Sequence, residues 1–377
     1  MSSLPAPNPA EPPAYPLQVE PVFVERVWGR EDISFLYASR PPQPRRVGEV
    51  WLTGERNRIA NGPWAGVTLE EAAARNPLAV LGASIARTRP TDGPVFPLLV
   101  KFLFTTEKLS VQVHPTDAYA REREGSRGKT EMWHILRVDP GGRLAVGFRE
   151  DLAQGPRWGQ SDLRKAVESG EIETMLGWTD VRPGDTFFVP AGTVHTIGPG
   201  VVLCEVQQNS DITYRFYDYK RPGVDGKLRP LHIEQALDVL KWRTPGGRTE
   251  PLEVASESGE RTCLAACSYF TTEKFSLSGP VQHEVQGRVE VWIALEGEAR
   301  FEGGGETAGC RRGEAVVLPA ALESVAIHPV ARTVFLRTFP PEPEADIRAP
   351  WLAQGFSEKQ LSRMCFPQGP VTAKGRG

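Results

Sequence analysis

The stretch from Leu109 to Leu136, LSVQVHPTDAYAREREGSRGKTEMWHIL, contains two short strand-like segments with three side chains that can bind a metal. Residues two apart on a strand point to the same face of a sheet. Gln112 and His114 therefore share a face in the first segment, and Lys129 and Glu131 share one in the second. Taken alone, an alternating segment of this kind is more often an ordinary half-buried strand with a solvated polar face.

A second stretch, GDTFFVPAGTVH from Gly184 to His195, supplies a fourth candidate ligand. It fits the pattern Gly-x5-Pro-x-Gly-x2-His, which resembles the second conserved motif of the cupin barrels. Turn residues at both ends of GDTFFVP predict one short strand, and the next strand is expected to carry His195 inward. The sequence therefore predicts a metal site made of Gln112, His114, Glu131 and His195.

These four residues form a mixed nitrogen and oxygen site of low ligand charge. Such donors suit Zn²⁺ and also accept Mn²⁺, Fe²⁺ or Co²⁺, because a sequence does not report coordination geometry. A closed structural zinc site is the alternative to a catalytic one. The charged residues predicted nearby favour a catalytic site that binds an anionic polyol and stabilises an oxyanion in the transition state; they are Lys101, Lys129, Asp211 and Arg215.

Lys101 interrupts FPLLVKFLF, an otherwise apolar run over residues 96–104. An ammonium group in a buried strand is costly unless it is paired or faces a cavity. A lysine that snorkels near the strand end is the alternative, but apolar residues on both sides favour the cavity, where Lys101 could bind a phosphate. Trp28 and Glu49 could line a sugar site, although a buried Trp and a capping Glu are commoner.

Composition sets limits on the class of protein. The 377 residues allow two or three domains of about 150 residues each, and 34 Pro and 37 Gly favour a β-rich chain with many turns. The net charge of −3, with scattered Lys and Arg, predicts no nucleic-acid and no membrane partner. Five cysteines without a CxxC pair, and the lack of a signal or membrane segment, predict a cytoplasmic protein; no protein partner is predicted.

The chain divides by pattern into four parts. We predict a disordered Pro-rich arm, a catalytic cupin domain with helical insertions, a second cupin-like domain without metal ligands and a C-terminal tail, over residues 1–16, 17–245, 250–345 and 346–377. One inserted helix is predicted to start at Thr68 with a capping box and to end near Gly82.

The second domain is predicted from a weak echo of the cupin motif. GEAVVLP, residues 313–319, repeats Gly-x5-Pro, but Ala321 and Ser324 stand where the motif has Gly and His. The predicted counterpart of the first ligand segment also lacks a histidine. His283 and His328 are isolated and are expected to be surface or core residues.

Several segments, in order, resemble the type I mannose-6-phosphate isomerase family in its shorter bacterial form; they are LSVQVHP, GKTEMWHIL, GDTFFVPAGTVHTIGPGV, SDITYR and LHIEQAL. The match runs from about Trp28 to Trp242 and continues more weakly beyond. The resemblance implies a mainly β chain of cupin-type β-barrels (jelly roll). A catalytic N-terminal barrel with flanking helices would be followed by a second, metal-free C-terminal barrel.

The resemblance also implies an activity, a cofactor and site residues. The family interconverts mannose 6-phosphate and fructose 6-phosphate by moving a proton between C1 and C2 through a cis-enediol, with one Zn²⁺ per chain. The metal ligands carry over to Gln112, His114, Glu131 and His195. The expected catalytic residues are Arg215 and Lys129, and the expected substrate-binding residues are Lys101, Asp211 and Ser110.

Elementary chemistry suggests roles for these groups. Arg215 keeps its charge and so acts as an electrostatic stabiliser or phosphate clamp, with Asp211 expected to hold it in place. Lys129 could shuttle protons between O1 and O2 or open the sugar ring. The base at carbon stays open among a metal-bound water, Lys129 and a histidine. The segment after Arg215, FYDYKRPGVDGKLRP, departs from the longer family members, which leaves phosphate docking by Lys220, Arg221 or Arg229 open.

Two other functions compete with an isomerase. A cupin oxygenase usually has His-x-His where this chain has Gln112-Val113-His114, and a hard amide oxygen is unfavourable for redox chemistry. A non-catalytic sugar-phosphate sensor would keep the fold and the metal. The joint presence of Lys101, Lys129 and Arg215 disfavours the sensor.

Overall fold

The computed structural model describes residues 13–38, 44–88, 95–154, 158–254 and 259–366. The strands of the N-terminal half are β1 (Leu17–Val19), β2 (Val22–Arg30), β3 (Val47–Thr53), β4 (Leu98–Phe104), β5 (Val111–Val113), β6 (Glu131–Val138), β7 (Arg143–Phe148), β8 (Leu176–Asp180), β9 (Thr186–Val189), β10 (His195–Ile197), β11 (Val201–Gln208), β12 (Tyr214–Tyr217) and β13 (Gly247–Arg248).

The strands of the C-terminal half are β14 (Leu252–Val254), β15 (Glu260–Cys267), β16 (Thr271–Leu277), β17 (Val281–Glu284), β18 (Glu290–Glu296), β19 (Glu298–Gly303), β20 (Glu306–Arg311), β21 (Ala315–Leu318), β22 (Ser324–Pro329), β23 (Thr333–Phe339) and β24 (Cys365–Phe366). Strands dominate the regular structure, which confirms the mainly β prediction.

The helices are short and lie between the strands. They are α1 (Leu69–Arg75), α2 (Pro77–Leu81), α3 (Ala83–Thr88), α4 (Asp117–Glu124), α5 (Glu150–Gln154), α6 (Gln160–Ser169), α7 (Ile172–Met175), α8 (Ile233–Val239), α9 (Ala349–Ala353) and α10 (Glu358–Leu361), with a π-helical segment, Pro343–Arg348, leading into α9. Among the described residues, no helix combines the length and the apolar character needed to cross a bilayer.

Each half of the chain contains one large and one small sheet, as in a jelly roll, and all the described strand pairs are antiparallel except that of β15 with β24. The N-terminal half has a seven-stranded sheet, β13-β9-β6-β11-β4-β3-β2, and a five-stranded sheet, β12-β5-β10-β7-β8. The C-terminal half has an eight-stranded sheet, β1-β21-β18-β23-β16-β15-β14 with β24 beside β15, and a four-stranded sheet, β17-β22-β19-β20. The two large sheets share one hydrophobic core, whereas the interior of each half has a core of its own.

The central strands of the seven-stranded sheet are buried on both faces. In β4 the residues Leu98, Val100, Phe102 and Phe104 pack in the core shared with the C-terminal half, and Leu103 packs inside the N-terminal half. Side chains alternate along a strand, so Lys101 points with Leu103 into the interior of the N-terminal half. An almost continuous apolar run is what a strand covered on both faces requires.

The chain starts in the sheet of the opposite half. β1 pairs antiparallel with β21, with Leu17 opposite Val317. Tyr15 is buried, and its hydroxyl accepts a hydrogen bond of 2.9 Å from the backbone N–H of Trp64. The end of the predicted disordered arm is therefore packed against the protein, and residues 1–12 of that arm lie outside the described residues.

The inserted helix begins as predicted and breaks once. Thr68 and Glu71 form a capping box, in which the Thr68 hydroxyl accepts from the Glu71 N–H and the Glu71 carboxylate accepts from the Thr68 N–H. Pro77 then starts a new helix, α2, which ends at Leu81 and has Gly82 as its C-cap. The open carbonyls at the end of α2 accept hydrogen bonds from the C-terminal half, including 2.8 Å from Ala321 N to Ala79 O.

Gly82 provides a test of this contact between the halves. Its φ of 88° and ψ of 163° belong to a region that only glycine adopts readily, and a Cβ there would lie 2.3 Å from the carbonyl oxygen of Gly287. Gly66 has a similar φ of 86°, but its Cβ would meet nothing within 4 Å. We expect Gly66→Ala to lower the free energy of unfolding by about 1–2 kcal/mol. Gly82→Ala should lower the free energy of unfolding by about 1–3 kcal/mol more than Gly66→Ala does, because its Cβ also overlaps the Gly287 carbonyl oxygen. Urea denaturation measures both losses.

Equal losses at the two glycines would contradict the close approach of α2 to the C-terminal half. The far-ultraviolet circular dichroism of both variants in the absence of urea serves as the control for a retained fold.

Candidate metal centre

The five-stranded sheet brings two predicted ligands together. β5 lies between β10 and β12, so that Gln112 is opposite His195 on one side and opposite Arg215 on the other. Directly paired residues of antiparallel strands share a face of the sheet. Gln112, His195 and Arg215 therefore point into the same interior space.

The seven-stranded sheet contributes the carboxylate. Glu131 begins β6, and its Oε2 lies 3.5 Å from His114 Nε2 while its Oε1 lies 3.4 Å from His195 Nε2. All three side chains are 1% exposed. Their ligand atoms lie within 4.8 Å of one another, and in the described part of the chain this is the only such group of at least three His, Cys, Asp or Glu residues.

Both histidines are held with the same ring nitrogen toward Glu131. His114 Nδ1 lies 2.9 Å from the carbonyl oxygen of Ile212, and His195 Nδ1 lies 2.8 Å from that of Thr193. A carbonyl only accepts, so each Nδ1 carries the hydrogen and each Nε2 presents a lone pair. Burial lowers the pKa of His195 to about 4, and burial together with the Lys129 ammonium holds the pKa of His114 well below its ordinary value. The imidazoles are thus neutral at pH 7, the form that binds a metal.

Glu131 is a buried carboxylate with incomplete partners. Its Oε2 is paired with Lys129 Nζ at 2.9 Å, and its Oε1 accepts no hydrogen bond. The same ammonium lies 3.1 Å from His114 Nε2, so it reaches into the space that the ligand atoms surround. A buried carboxylate next to two lone pairs is the environment that a divalent cation satisfies. The residues present therefore fit a metal ion.

Gln112 stands beside this group with its amide turned away. Its Nε2 lies 3.2 Å from His195 Nε2, and its Oε1 accepts a hydrogen bond of 3.3 Å from the Ser110 hydroxyl. A half-turn of the amide exchanges oxygen and nitrogen with little change in shape. The Ser110 hydroxyl both donates and accepts, so it can support either orientation. Gln112 can thus offer its oxygen to a metal without moving its backbone.

A cavity of about 360 Å³ opens beside the ligands. All five side chains predicted to be catalytic or substrate-binding line it, namely Lys101, Ser110, Lys129, Asp211 and Arg215. Trp28, Glu49 and Arg229 also line it, whereas Lys220 and Arg221, both among the described residues, do not. The structure therefore brings the predicted ligands and the predicted substrate contacts to one place.

Acidic and basic side chains alternate along the wall of the cavity. Lys101 Nζ lies 4.0 Å from Glu49 Oε2 and 3.4 Å from Glu205 Oε1. Lys129 Nζ lies 3.6 Å from the same Glu205 oxygen. Glu205 is 3% exposed, and its Oε1 accepts no hydrogen bond. The sequence analysis missed Glu205, although an acid within the apolar segment VLCEVQQ is the same kind of signal that identified Lys101.

The alternating charges shift one another's pKa values. Burial opposes the charge on Lys129, but the carboxylates of Glu131 and Glu205 outweigh burial and hold the pKa of Lys129 above its ordinary value. Burial also opposes the charge on Glu49, but Lys101 and Arg26 outweigh it and lower the pKa of Glu49 to about 2. Burial raises the pKa of Glu205, and the Glu131 carboxylate adds to the rise.

Arg215 points into the cavity from β12 with part of its guanidinium unsatisfied. Its Nη1 donates to the carbonyl oxygen of Pro230 at 2.9 Å, and its buried Nε has no hydrogen-bond partner. Among the described residues it forms no ion pair, so the expected support from Asp211 is replaced by the Pro230 carbonyl. Arg229, on the same cavity wall, is held by Asp218 through Nε and Oδ2 at 2.6 Å. The two guanidinium groups give this side of the cavity a positive charge.

Comparison with known proteins gives a consistent result. The family models for the phosphomannose isomerase type I catalytic domain and the mannose-6-phosphate isomerase cupin domain match residues 17–130 and 260–337. The mannose-6-phosphate isomerase of Streptococcus mutans is 34% identical over 315 residues, which cover 82% of this chain and 94% of that protein. Mannose-6-phosphate isomerase ManA of Bacillus subtilis is 35% identical over 312 residues, which cover 81% and 94%.

The fold agrees with a solved structure. The crystal structure of the mannose 6-phosphate isomerase from Bacillus subtilis superposes with a TM-score of 0.74 and 28% sequence identity, covering 86% of this chain and 99% of that one. The match extends over both halves of the chain, and the cupin fold predicted from the sequence is confirmed. This chain belongs to the type I mannose-6-phosphate isomerase family.

Proposed function

We propose that this chain is a zinc-dependent mannose-6-phosphate isomerase, which interconverts mannose 6-phosphate and fructose 6-phosphate. The observation that carries the proposal is the buried carboxylate of Glu131, set between two neutral imidazoles at the edge of a cavity lined by cations. Membership of the family favours an isomerase over a cupin oxygenase and over a non-catalytic sugar-phosphate sensor.

Zn²⁺ is the metal that the donors suit best. His114, His195 and Glu131 would hold it, with the Gln112 oxygen as a fourth ligand after rotation of its amide. When bound, zinc supplies a Lewis acid that stabilises negative charge on the oxygens of the substrate as an enediolate develops. One zinc per chain is proposed, at this group of ligands.

The residues of the cavity would bind the sugar phosphate and move its protons. Arg215 keeps its charge, and its unsatisfied Nε offers a hydrogen bond to the phosphate or to a developing oxyanion. Lys101 and Lys129 line the cavity and would present their ammonium groups to the substrate oxygens, and Lys129 would relay a proton between O1 and O2. Ser110 and Asp211 would contact the sugar hydroxyls.

Glu205 joins the candidates for the base at carbon. Its Oε1 lacks a hydrogen bond, and the side chain lines the cavity between the two lysines. In the forward direction the carboxylate would take the proton from C2, the electron pair of the C–H bond would form the C1=C2 double bond, and the pair of the C1=O1 double bond would move to O1, which takes up a proton. The carboxylic acid would then return its proton to C1 as O2 loses its proton and becomes the carbonyl. The lysines on either side would keep the carboxylate oriented.

The chemistry is proposed to take place in the cytoplasm. All five cysteines are free in the structure, and four of them are buried. A chain with unpaired thiols is typical of a reducing compartment. The proposed partner is a small-molecule substrate, mannose 6-phosphate.

Removal of the metal tests the zinc dependence. After dialysis against a chelator, we expect the conversion of mannose 6-phosphate to fructose 6-phosphate to fall to background, and added Zn²⁺ to restore it, because the enediolate loses its Lewis acid. A coupled assay measures the rate, and metal analysis of the same sample measures zinc. Mg²⁺ serves as the control, since an imidazole-rich site binds it poorly. Undiminished turnover by metal-free protein would contradict the proposal, and oxygen uptake without isomerisation would favour an oxygenase.

Substitution of the ligands separates metal binding from catalysis. His195→Ala and Gln112→Ala should each lose zinc and activity. His134 is also buried and lies on the same strand as Glu131 but on the opposite face, so His134→Asn should keep the metal. Zinc retained by His195→Ala would show that the ligand assignment is wrong.

Arg215→Ala should keep zinc and lose turnover by a factor of about 10²–10³, because the guanidinium acts on the substrate and not on the metal. Arg164, which pairs with Glu234 at the surface, provides the matched control in Arg164→Ala. A rise in KM alone would indicate a phosphate clamp, whereas a fall in kcat would indicate stabilisation of the transition state. Unchanged kinetics would remove Arg215 from the site.

A further inference from the structure

The C-terminal half repeats the register of the metal centre. In the N-terminal half Glu131 lies opposite Val189, the residue before the proline of the Gly-x5-Pro motif. In the C-terminal half Glu290 lies opposite Leu318, which also precedes the proline of that motif. Glu290 therefore occupies the position of the metal-ligand candidate Glu131. The sequence analysis did not identify this correspondence.

The register continues across the large sheets with the charges exchanged. In the N-terminal half, Glu205 is paired with Trp133 on one side and with Lys101 on the other. In the C-terminal half, Arg337 is paired in the same way with Trp292 and with Glu273. An acid facing a lysine in the N-terminal half becomes an arginine facing an acid in the C-terminal half. The exchange of charge extends to the next strand of each sheet. Glu49 is paired with Leu103, two residues after Lys101, and its counterpart Arg261 is paired with Phe275, two residues after Glu273.

Arg337 satisfies the carboxylates of the C-terminal half. Its Nε donates to Glu290 Oε2 at 2.8 Å, and its Nη1 donates to Glu273 Oε2 at 3.1 Å. Its Nη2 donates to the other oxygen of Glu290. Both carboxylates are fully buried and Arg337 is 6% exposed, with its guanidinium 4.5 Å from the ring centroid of Phe339. Glu131 of the N-terminal half has a single ammonium, that of Lys129, against one of its oxygens and no guanidinium.

A histidine lies beside Glu290 in the C-terminal half. His283 is opposite the buried Val325 between β17 and β22, one residue from the pair Glu284 and Ser324 that aligns with Gln112 and His195. His283 Nε2 is 2.8 Å from Glu290 Oε2. One imidazole and one carboxylate thus face each other inside the C-terminal half, while Ser324, at the motif position of His195, and the apolar Val325 after it supply no imidazole.

We propose that Arg337 is a built-in cation that takes the place of a metal ion in the C-terminal half, and that its removal uncovers a divalent-metal site formed by His283, Glu290 and Glu273. Buried carboxylates require a cation, and the planar five-donor guanidinium supplies one that is covalently attached to the chain. In the intact chain Arg337 lies between the carboxylates, and the donor atoms of the three residues do not form a group within 4.8 Å of one another. Without Arg337, two carboxylates and one imidazole can close on the space it leaves, and such a donor set binds Zn²⁺, Co²⁺ or Mn²⁺.

The test is made in a full-length chain that carries His114→Ala and His195→Ala, so that metal bound by the N-terminal half does not contribute. Co²⁺ is the probe, because its visible absorption reports its ligands. Adding Arg337→Ala should create a site for about one Co²⁺ per chain. Excess cobalt should raise the thermal midpoint of this variant by about 5 °C or more, because the metal binds the folded state alone.

Three controls keep the test specific. Arg337→Lys retains a cation and should bind no cobalt at this site. Arg332→Ala removes an exposed arginine of the same half, paired with Glu296, and should also bind none. Adding Glu290→Gln to Arg337→Ala removes a ligand and should abolish the cobalt absorption.

Three results would overturn the proposal. The first is an Arg337→Ala chain that is folded and binds no cobalt, and the second is one that stays unfolded when cobalt is present. The third is equal cobalt binding by Arg337→Lys. None of these readouts depends on isomerase activity, so a failure here is distinct from a failure of the proposed function.

Discussion

A carboxylate removed from water must be matched by positive charge, and Glu131 imposes this requirement on the interior of the N-terminal half. It is 1% exposed, its Oε1 accepts no hydrogen bond, and it faces the lone pairs of two neutral histidines. The Lys129 ammonium neutralises part of the charge on Glu131, but one ammonium cannot satisfy two carboxylate oxygens and two imidazoles. A divalent cation can, and the arrangement of β5, β6 and β10 brings the candidate ligands together.

The two halves of the chain meet the same constraint in different ways. In both halves a glutamate on a neighbouring strand lies opposite the residue that precedes the proline of the Gly-x5-Pro motif. The C-terminal half closes the space with Arg337, whose five donors satisfy Glu290 and Glu273. The N-terminal half sets two neutral histidines against its glutamate and lines the adjoining cavity with Lys101, Lys129 and Arg215. Metal-binding side chains next to a cavity permit chemistry, whereas a buried guanidinium paired with two carboxylates is a fixed part of the interior.

Local patterns in the sequence predicted what depends on near neighbours. The spacing of Gln112 and His114, the turn chemistry before His195 and the capping box at Thr68 each act within a few residues, and the structure forms each of them locally. The cupin fold followed from the motifs taken in order. The joint position of the predicted substrate contacts around one cavity also followed, although their roles stay proposals.

Other features depend on strand pairings between distant segments, which the sequence does not specify. Glu205 acquires its significance only when β11 pairs with β4 and β6, which sets it between two lysines. The pairing of β1 with β21, and the contact of Arg337 with Glu290, depend on registers of the same long-range kind. The support of Arg215 by the Pro230 carbonyl, where Asp211 was expected, reflects the fold of a loop that no short motif determines.

The most direct test of the account is diffraction at the zinc absorption edge from crystals of the wild-type protein grown with zinc. We expect one strong anomalous peak, about 2.0–2.2 Å from Nε2 of His114, Nε2 of His195 and a carboxylate oxygen of Glu131, with the Lys129 ammonium displaced toward Glu205. No peak is expected beside Arg337. A map without density at the three ligands, and with Lys129 still against Glu131, would contradict the account.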